Sequence, residues 1–262
     1  MAFQFLKVFI YCPMITAPMQ FSDEIEIDNR DRRDIYDHIE RAGTVEYDDA
    51  CRVLGMNRNE FGHHVAVLRR DGVIARDGDE LRVAFDGESE RTTVDDGIDV
   101  TIRQAEEDDL SGLVGSIRQA LDGRSYIEGE SVADIVESEN VLLRHNDLEK
   151  RVFFVATVHG DVVGWLHIDA PKIEKLAHTA ELTLGLVEEY RGHGIGTKLH
   201  DKGVDWALEN GFEKLYNSVP SSNEGGIAFL EGHGWETEAV RERHYRVDGE
   251  YVDEVMLSKA LV

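Results

Sequence analysis

Apolar residues along the chain follow two successive patterns, which predict two structural units. Over residues 21–86 their spacing is helical in three short stretches and then alternates in two shorter ones. The predicted helices cover 29–42, 47–54 and a third stretch that Asn57 caps. The predicted strands are 73–76 and 81–85, joined by the turn Asp77-Gly78-Asp79. Residues 87–98 are polar and have no periodic apolar face, which predicts a linker.

Residues 99–262 alternate longer strand patterns with helical ones, which predicts a second and larger domain. Strands are predicted at 99–103, 151–158, 162–168, 180–187, 214–219, 240–247 and 251–259, and helices at 108–121, 132–139, 198–210 and 223–231. His159-Gly160-Asp161 is a hairpin signal between two of these strands. A length of 262 residues is sufficient for two domains that each bury a core.

The stretch from Leu182 to Leu199 carries the most specific chemistry of the sequence. It begins as a strand and turns through Gly192, Gly194 and Gly196 into a helix. Glycine permits positive φ angles and exposes backbone N–H groups, and bare amides at the positive end of a helix dipole bind anions. A phosphate or diphosphate is therefore the expected ligand. A nucleotide P-loop would need Gly-Lys-Ser/Thr, which is absent, and a dinucleotide fold would need an acidic residue at the end of a second strand. Neither pattern fits this sequence well.

The segment Arg191-Gly192-His193-Gly194-Ile195-Gly196 resembles the Arg/Gln-x-x-Gly-x-Gly/Ala signature of the GNAT superfamily of N-acetyltransferases. A second segment, with Asn223, Ile227-Ala228-Phe229 and Gly234-Trp235, resembles the helix and turn that pack beside the pantetheine arm in that family. The order of predicted elements over 99–262 also matches. The resemblance implies an α+β fold with a mixed sheet, preceded here by a smaller domain.

The same resemblance implies acetyl-CoA as cosubstrate and direct attack of an amine on it in a ternary complex. A backbone N–H at the end of the strand, that of Leu186, would hold the thioester oxygen, and the amides of the glycine turn would hold the diphosphate. Arg191 is expected either to contact phosphate or to pair with a surface acid. The cofactor-binding residues that the resemblance implies are Leu186, Val187, Arg191, Gly192, His193, Gly194, Ile195, Gly196, Thr197 and Asn223.

An amine must be neutral before it can attack, so the identity of a base matters. Free α-amines and lysine side chains have ordinary pKa values of about 7.8 and about 10.4, so deprotonation at pH 7 costs about 1.1 or about 4.6 kcal/mol. Glu181 lies where some GNAT members carry a glutamate base that often acts through water; the alternative is an exposed strand residue. His178, His193 and Tyr216 are weaker candidates. Leu230 replaces the tyrosine that protonates the thiolate in many members, and Glu128 and Glu130, in the expected acceptor loop 123–130, suit a cationic acceptor.

The order of three helices and a hairpin over 21–86 resembles a winged helix-turn-helix domain. In a DNA-binding protein of that type the third helix would offer Arg58, Asn59, His63 and Arg69 to the groove, with Arg76 and Arg82 on the wing. Acids outnumber bases in this unit, and Asp77, Asp79 and Glu80 lie at the wing tip, which weakens phosphate binding. A protein-contact or dimerisation module is the alternative.

Charge and cysteine content limit the cellular setting. The chain has 53 Asp and Glu against 28 Lys and Arg, a formal charge of −25, which resembles adaptation to a salt-rich cytosol. At about 1 M salt the Debye length is only about 3 Å, so this charge does not exclude an anionic cofactor. Cys12 and Cys51 are too few for a disulfide framework, and the histidines are too scattered for a metal site, so a cytoplasmic protein without a metal is expected.

Residues 1–20 are apolar but contain Pro13 and Pro18, and they are too short for a convincing membrane span, so they are expected to be an extension of uncertain role. The sequence leaves three functions open. The chain is an N-acetyltransferase acting on a protein N-terminus, a lysine or a small amine; or a DNA-binding regulator whose GNAT domain senses acetyl-CoA; or an enzyme whose N-terminal module recruits a protein substrate. A homodimer is compatible with each of them.

Overall fold

The computed structural model describes residues 27–84, 89–121, 127–146, 150–171 and 173–262. The predicted extension 1–20 and Cys12 lie outside these ranges, whereas Cys51 is a buried free thiol. Within them, no helix combines the length and the apolar character that a bilayer span requires.

The N-terminal domain packs three helices against a small sheet with the strand order β1-β3-β2. Its elements are α1 (Arg30–Ala42), β1 (Thr44–Glu46), α2 (Tyr47–Val53), α3 (Arg58–Arg70), β2 (Ile74–Asp77) and β3 (Glu80–Val83). Asn29 and Asn57 cap α1 and α3 by accepting backbone N–H groups of Arg32 and Glu60 at 3.0 and 2.9 Å. The predicted helices and hairpin are confirmed, and the winged-helix resemblance stays a prediction.

The C-terminal domain is built on a nine-stranded sheet with the order β11-β12-β10-β9-β8-β7-β5-β4, and β6 pairs with β7. Its strands are β4 (Glu90–Thr93), β5 (Asp99–Gln104), β6 (Arg144–His145), β7 (Lys150–Val158), β8 (Asp161–Ala170), β9 (Thr179–Leu186), β10 (Lys214–Pro220), β11 (Glu236–Val247) and β12 (Glu250–Ala260). Its helices are α4 (Leu110–Leu121), α5 (Ile127–Glu139), α6 (Ile195–Glu209) and α7 (Glu224–Gly232). The β9–β10 pair is parallel and the other pairs are antiparallel, so the predicted mixed sheet is confirmed.

Two sequence expectations are corrected by these bounds. Residues 90–93 of the expected linker form β4, which pairs with β5 from Glu90↔Ile102 to Thr93↔Asp99. Backbone pairing at a sheet edge needs no apolar periodicity, which explains why the pattern missed this strand. The second helix begins at Ile127 rather than near residue 132, so the end of the expected acceptor loop is helical. Residues 123–126 of that loop lie outside the described ranges.

Each face of the sheet is covered by its own helices because side chains alternate along the strands. On one face, Leu199 and Trp206 of α6 pack on Phe154, Leu166 and neighbouring strand residues. On the other face, residues of α4 and α5 pack on Phe153, Val155, Trp165 and their neighbours. Full burial of one such large apolar side chain contributes about 1.5–3 kcal/mol, so these two layers hold the helices firmly against the strands.

The strands β9 and β10 pair only over their first three residues. The register runs Lys214↔Thr179, Leu215↔Ala180 and Tyr216↔Glu181, and no backbone pairing follows. Beyond it, the side-chain amide Nδ2 of Asn217 donates to the carbonyl oxygen of Leu182 at 2.5 Å and spans the widening gap. The sheet therefore opens between β9 and β10, and the end of β9 keeps a partner only on its β8 side.

The two domains meet at a buried polar junction between α1 and β6. The hydroxyl of Tyr36 donates to the carbonyl of His145 at 2.8 Å. The Glu40 carboxylate accepts from Asn146 Nδ2 at 2.7 Å and from the His145 N–H at 3.2 Å, and Arg144 Nη1 donates to the Glu40 carbonyl at 3.1 Å. Burial of polar groups is tolerated when they are bonded in this way, so the junction fixes the N-terminal domain to the larger one.

Candidate active site

The glycine turn joins the end of β9 to the start of α6. A short 3₁₀ turn, Glu188–Tyr190, follows β9, and Gly192 and Gly194 then adopt φ angles of 82° each. Gly194 is the N-cap of α6, which begins at the fully buried Ile195. The first amides of a helix have no partner within it, so the N–H groups at Ile195, Gly196 and Thr197 remain available to an anion. The geometry that the sequence predicted is present.

Gly196 allows close packing rather than an unusual backbone angle. A Cβ at this position would lie 3.0 Å from Leu186 Cδ1 and 3.5 Å from Phe229 Cε2. Both of those residues line the cavity described below. A side chain here would therefore intrude between the strand end and α7.

The N–H of Leu186 points away from β8, which is the direction that an oxyanion donor facing the gap would need. In an antiparallel ladder the N–H groups of successive residues point to opposite sides of the strand. The Val187 N–H donates to the Val163 carbonyl on the β8 side at 2.9 Å. The preceding N–H, that of Leu186, is consequently directed to the open side, where β10 has separated from β9. Val187 itself is held in the ladder with β8.

Arg191 is directed at the end of β9 and not at a surface acid. Its Nε and Nη2 donate to the Leu186 carbonyl at 3.0 and 2.8 Å, and Nη2 also reaches the Ala120 carbonyl at 3.3 Å. Its Nη1 is buried and has no hydrogen-bond partner in the described part of the chain. The guanidinium thus fixes the backbone of Leu186 and keeps one donor for a ligand.

A single cavity of about 930 Å³ connects these features. Its walls come from the ends of β9 and β10, the glycine turn, the first turns of α6 and α7, and the end of α4. They include Thr183, Leu184, Gly185, Leu186, Arg191, Gly192, Gly194, Gly196, Thr197, Asn217, Ser218, Ser222, Asn223, Phe229 and Leu230. A volume of this size fits a ligand pocket, and the splayed strands form its floor.

Trp165 adds a second buried donor to the cavity wall. Its indole Nε1 has no hydrogen-bond partner among the described residues. Gly185, on the neighbouring strand, makes room for it, because a Cβ there would lie 2.9 Å from that nitrogen. Buried donors without a protein acceptor are rare in folded proteins, so two of them in one cavity indicate a ligand rich in acceptors.

The predicted Asn223 caps α7 and shapes the opposite wall. Its side-chain oxygen accepts the Gly226 N–H at 3.1 Å. Leu230 is buried, with 3 % of its surface exposed, and it lines the cavity. An aliphatic side chain has no proton to give, so this position supplies no acid to a departing thiolate.

The segment between β4 and β5 lies against the glycine turn, which the sequence did not predict. The His193 ring nitrogen Nδ1 lies 2.8 Å from Asp96 Oδ2, and the Asp95 N–H donates to the His193 carbonyl at 3.3 Å. Asp95 also lines the cavity. Two carboxylates therefore stand beside a turn whose amides attract anions.

A cluster of histidines supports the other side of the turn. His233 Nε2 lies 3.2 Å from the Thr197 hydroxyl, and the His233 and His200 rings are 4.6 Å apart. Trp235 Nε1 donates to His200 Nε2 at 3.0 Å. Gly234-Trp235 was noted in the sequence as a family segment, but the pattern gave no signal for His200 or His233.

The base candidates lie apart from the Leu186 amide. Glu181 is exposed, is paired in register with Asp169 and Tyr216, and is not part of the cavity wall. Five residues of extended strand place it about 16 Å from Leu186, so any proton transfer between them must pass through water. His178 is exposed as well.

Another histidine, His167, lies on the α4–α5 face beside Thr183. Burial, with a smaller effect of Arg151, lowers the pKa of His167 to about 3. Its ring is stacked on Phe153 at 4.6 Å, and the atom Nε2 has no hydrogen-bond partner in the described ranges. The imidazole is therefore neutral at ordinary pH and is a poor base.

Comparisons with known proteins agree with this geometry. Residues 120–235 match the acetyltransferase (GNAT) family. An uncharacterized N-acetyltransferase of Methanocaldococcus jannaschii is 33 % identical over 91 residues, which cover 34 % of this chain and 40 % of that protein. The chain thus matches less than half the length of this curated relative.

Solved structures extend the similarity to a larger share of the chain. The yncA protein of Salmonella typhimurium, solved with its cofactor acetyl-CoA, has a TM-score of 0.52 and 18 % identity, and the match covers 62 % of this chain and 94 % of that one. An N-acetyltransferase of Staphylococcus aureus has a TM-score of 0.51 and 16 % identity, over 62 % and 99 % of the two chains. At such identities the likeness concerns the fold alone. The C-terminal domain therefore has the GNAT fold and, over residues 120–235, the sequence pattern of the GNAT acetyltransferase family.

Proposed function

We propose that the C-terminal domain transfers an acetyl group from acetyl-CoA to an amine. The observation that carries this proposal is the opening of the splayed β9–β10 gap and the glycine turn into one cavity. One end of the cavity offers bare helix amides to a diphosphate, and the other offers the Leu186 N–H to a carbonyl oxygen. Members of the GNAT family use acetyl-CoA as their cosubstrate, and a fold neighbour was solved with it.

The residues suggest how each part of acetyl-CoA is held. The amides of residues 195–197, at the N-terminus of α6, bind the diphosphate, helped by the helix dipole. The buried Nη1 of Arg191 adds a charge-assisted bond to an acceptor in the cavity. The side of the gap formed by β10 and the capped start of α7 receives the pantetheine arm of the cosubstrate. The remaining predicted contacts, from Gly192 and His193, belong to the same turn.

The chemical step follows from the position of the Leu186 amide. The amine nitrogen attacks the thioester carbonyl carbon, and the negative charge that develops on the oxygen is stabilised by this preorganised N–H. The carbon–sulfur bond then breaks and the thiolate departs, while the nitrogen loses its extra proton to water. Because Leu230 cannot protonate sulfur, the thiolate leaves as an anion or takes a proton from solvent. Arg191, bonded to the carbonyl of Leu186, keeps the donor in place.

Glu181 remains the proposed base, acting through water rather than by contact. Its exposure, together with that of Glu130, suits a cationic acceptor. The side chain of Glu128 lies outside the described residues. The acceptor classes that fit are a protein N-terminus, a lysine and a small amine, and the lower cost of deprotonating an α-amine favours the first.

The experiment is a thiol-release assay with acetyl-CoA and a panel of amines in concentrated potassium chloride. Peptide N-termini, lysine peptides and polyamines are compared with a blank that lacks an amine. Amine-dependent release of CoA, with the acetylated product identified by mass, supports the proposal. Failure of the protein to bind acetyl-CoA in calorimetry, together with no release above the blank, overturns it.

The N-terminal domain is less suited to DNA than its resemblance suggests. Several of its arginines already pair with acids, among them Arg58 with Asp48 and Arg70 with Asp71. On the hairpin, Arg76 pairs with Asp79 in the same way. Cations neutralised in this manner lose much of their attraction for phosphates. A role in contacts with proteins is therefore the proposal for this domain, and a shift assay with random duplex DNA in the same salt tests the alternative.

A further inference from the structure

The Thr197 hydroxyl stands between the phosphate-binding turn and a histidine. Thr197 is the third residue of α6 and forms part of the cavity wall. Its Oγ1 lies 3.2 Å from His233 Nε2. A hydroxyl has a single proton to donate. Whether the Thr197 hydroxyl donates it to His233 depends on whether Nε2 of that ring carries a hydrogen.

The proton on the other nitrogen of His233 is fixed by the backbone. Nδ1 of His233 lies 2.7 Å from the Phe229 carbonyl oxygen, and a carbonyl can only accept. Nδ1 must therefore carry a hydrogen in either charge state. In the neutral ring Nε2 is bare and accepts the Thr197 proton, whereas in the charged ring Nε2 carries a hydrogen and donates to the Thr197 oxygen.

The neighbouring His200 is held in its neutral form. The indole Nε1 of Trp235 can only donate, and it does so to His200 Nε2 at 3.0 Å. The proton of His200 is then on Nδ1, which lies 3.1 Å from Asp201 Oδ1. Burial lowers the pKa of His200, with a smaller opposing effect of Asp201. Of the two adjacent rings, that of His233 has an Nε2 facing a hydroxyl, which can donate or accept, whereas the Nε2 of His200 faces a group that can only donate.

Other charged groups around His233 set its environment without bonding to its ring. Lys259 Nζ donates to the His233 carbonyl at 2.6 Å, from the β12 side. Asp201, on α6, reaches the cluster through His200. On the glycine turn, His193 lies beside Asp96 and can add a pH effect of its own, so the test must separate the two histidines.

We propose that His233 is a positioning residue whose protonation turns the Thr197 hydroxyl towards the cosubstrate. When His233 is neutral, the hydroxyl proton is used in the bond to Nε2. When Nε2 takes a proton from solvent, it donates to Thr197 Oγ1, and the hydroxyl proton becomes available to a phosphate oxygen in the cavity. This inference rests on the proposed function, because the phosphate is that of acetyl-CoA.

Calorimetry with acetyl-CoA at about pH 6 and about pH 8, in concentrated potassium chloride, tests the proposal, since histidines change charge in this interval. The titration of acetyl-CoA itself is common to every variant and cancels in the comparison. One additional hydrogen bond to a charged phosphate lowers the Kd about tenfold. After the effect of acetyl-CoA titration is subtracted, the wild type should therefore bind about tenfold more tightly at about pH 6 than at about pH 8.

Three variants test whether the pH effect depends on the Thr197 hydroxyl. In His233→Gln the amide Nε2 donates at both pH values, so tight binding without the extra pH effect is expected. Thr197→Val keeps the shape but loses the hydroxyl, so binding is weak at both pH values, whereas Thr197→Ser restores the pH effect. His63→Gln, an exposed histidine on α3, is the matched control and behaves like the wild type.

The outcomes separate this inference from the proposed function. If the wild-type protein takes up no acetyl-CoA at either pH, the proposed function fails. If it binds and Thr197→Val retains the full pH effect, the charge of a histidine acts without the hydroxyl and the inference is overturned. An unchanged pH effect in His233→Gln overturns it too, and circular dichroism confirms that each variant is folded.

Discussion

Gly194 provides the sharpest test of the cofactor site, because its backbone and not its surroundings excludes a side chain. Its φ and ψ are 82° and −3°, in the left-handed region, at the N-cap of α6. A methyl group there would lie 3.8 Å from Asp95 Oδ2, which is an ordinary contact. The effect of Gly194→Ala is therefore conformational, and it acts on the residue that positions the first amides of the helix.

The expected magnitudes differ for folding and for binding. A left-handed backbone conformation destabilises a residue that has a Cβ by about 1–2 kcal/mol. Replacing glycine by alanine also lowers the conformational entropy of the unfolded chain, which stabilises the folded protein by about 0.4–1 kcal/mol. The net loss of stability is about 1 kcal/mol, or about 2–4 °C in Tm for a chain of this size. If the turn instead relaxes, the amides move, and each hydrogen bond to the charged diphosphate that is lost costs about 1.5–3 kcal/mol, roughly 10- to 150-fold in Kd.

Thermal unfolding and calorimetry with acetyl-CoA measure the two effects on the same preparation. Gly115→Ala is the matched control, since Gly115 is exposed within α4 and a Cβ there meets nothing within 4 Å. It should raise stability by about 0.5–1 kcal/mol and leave the Kd unchanged. A Gly194→Ala protein that unfolds earlier yet binds acetyl-CoA within twofold of the wild type would refute the role assigned to the turn.

Four further predictions concern single side chains. Asp95→Asn should tighten acetyl-CoA binding a few-fold by removing a carboxylate from the cavity wall, and an unchanged or weaker Kd contradicts this. Glu181→Gln should lower kcat for lysine acceptors at least tenfold while the Kd for acetyl-CoA stays constant; equal rates show that another group takes the proton. Glu40→Ala removes the acceptor of two buried hydrogen bonds at the domain junction and should cost about 2–4 kcal/mol in denaturant unfolding, with Glu40→Gln costing less than half as much. The unfolded chain protonates His167 near pH 6.5 but the folded chain near pH 3, so stability falls as pH drops below about 6.5, by about 2 kcal/mol at pH 5, and His167→Gln should show a shallower decline.

Local patterns were sufficient for most elements but not for the junctions between them. The cap residue Asn57 and the helical spacing of Phe61, Val65 and Leu68 predicted α3, and His159-Gly160-Asp161 predicted the hairpin between β7 and β8. The strand at Glu90 was missed because edge pairing depends on a distant partner, here β5, and leaves no periodic apolar signature. Likewise, nothing local shows that Glu40 contacts Asn146, more than a hundred residues away.

In the candidate site too, local features could be predicted from the sequence, whereas contacts between distant elements could not. The glycine turn was predicted from its own motif, and the resemblance to the GNAT family drew attention to Asn223 and Leu230, because each of these is a short-range sequence feature. Arg191 was located, but its bonds to the Leu186 and Ala120 carbonyls could not be inferred, because they depend on how α4 ends beside β9. The pairing of Thr197 with His233 joins two helices of the fold, and only their packing brings the two side chains together.

The acidic residues of this protein repel an anionic cosubstrate in two ways, through the charge of the whole surface and through Asp95 close to the glycine turn. Salt weakens the first more than the second. The formal charge of −25 is spread over the whole surface, so its repulsion is largely removed once the Debye length falls to about 3 Å near 1 M salt. Asp95 is different, because although exposed it lines the cavity beside Gly194, next to the amides that would hold a phosphate, and salt screens charges at such short range less completely than distant ones. Raising potassium chloride should therefore improve acetyl-CoA binding in the wild type and in Asp95→Asn by similar factors, with the advantage of Asp95→Asn persisting at the highest salt. If that advantage disappears as salt rises, Asp95 contributes only to the general surface charge and has no local role at the turn.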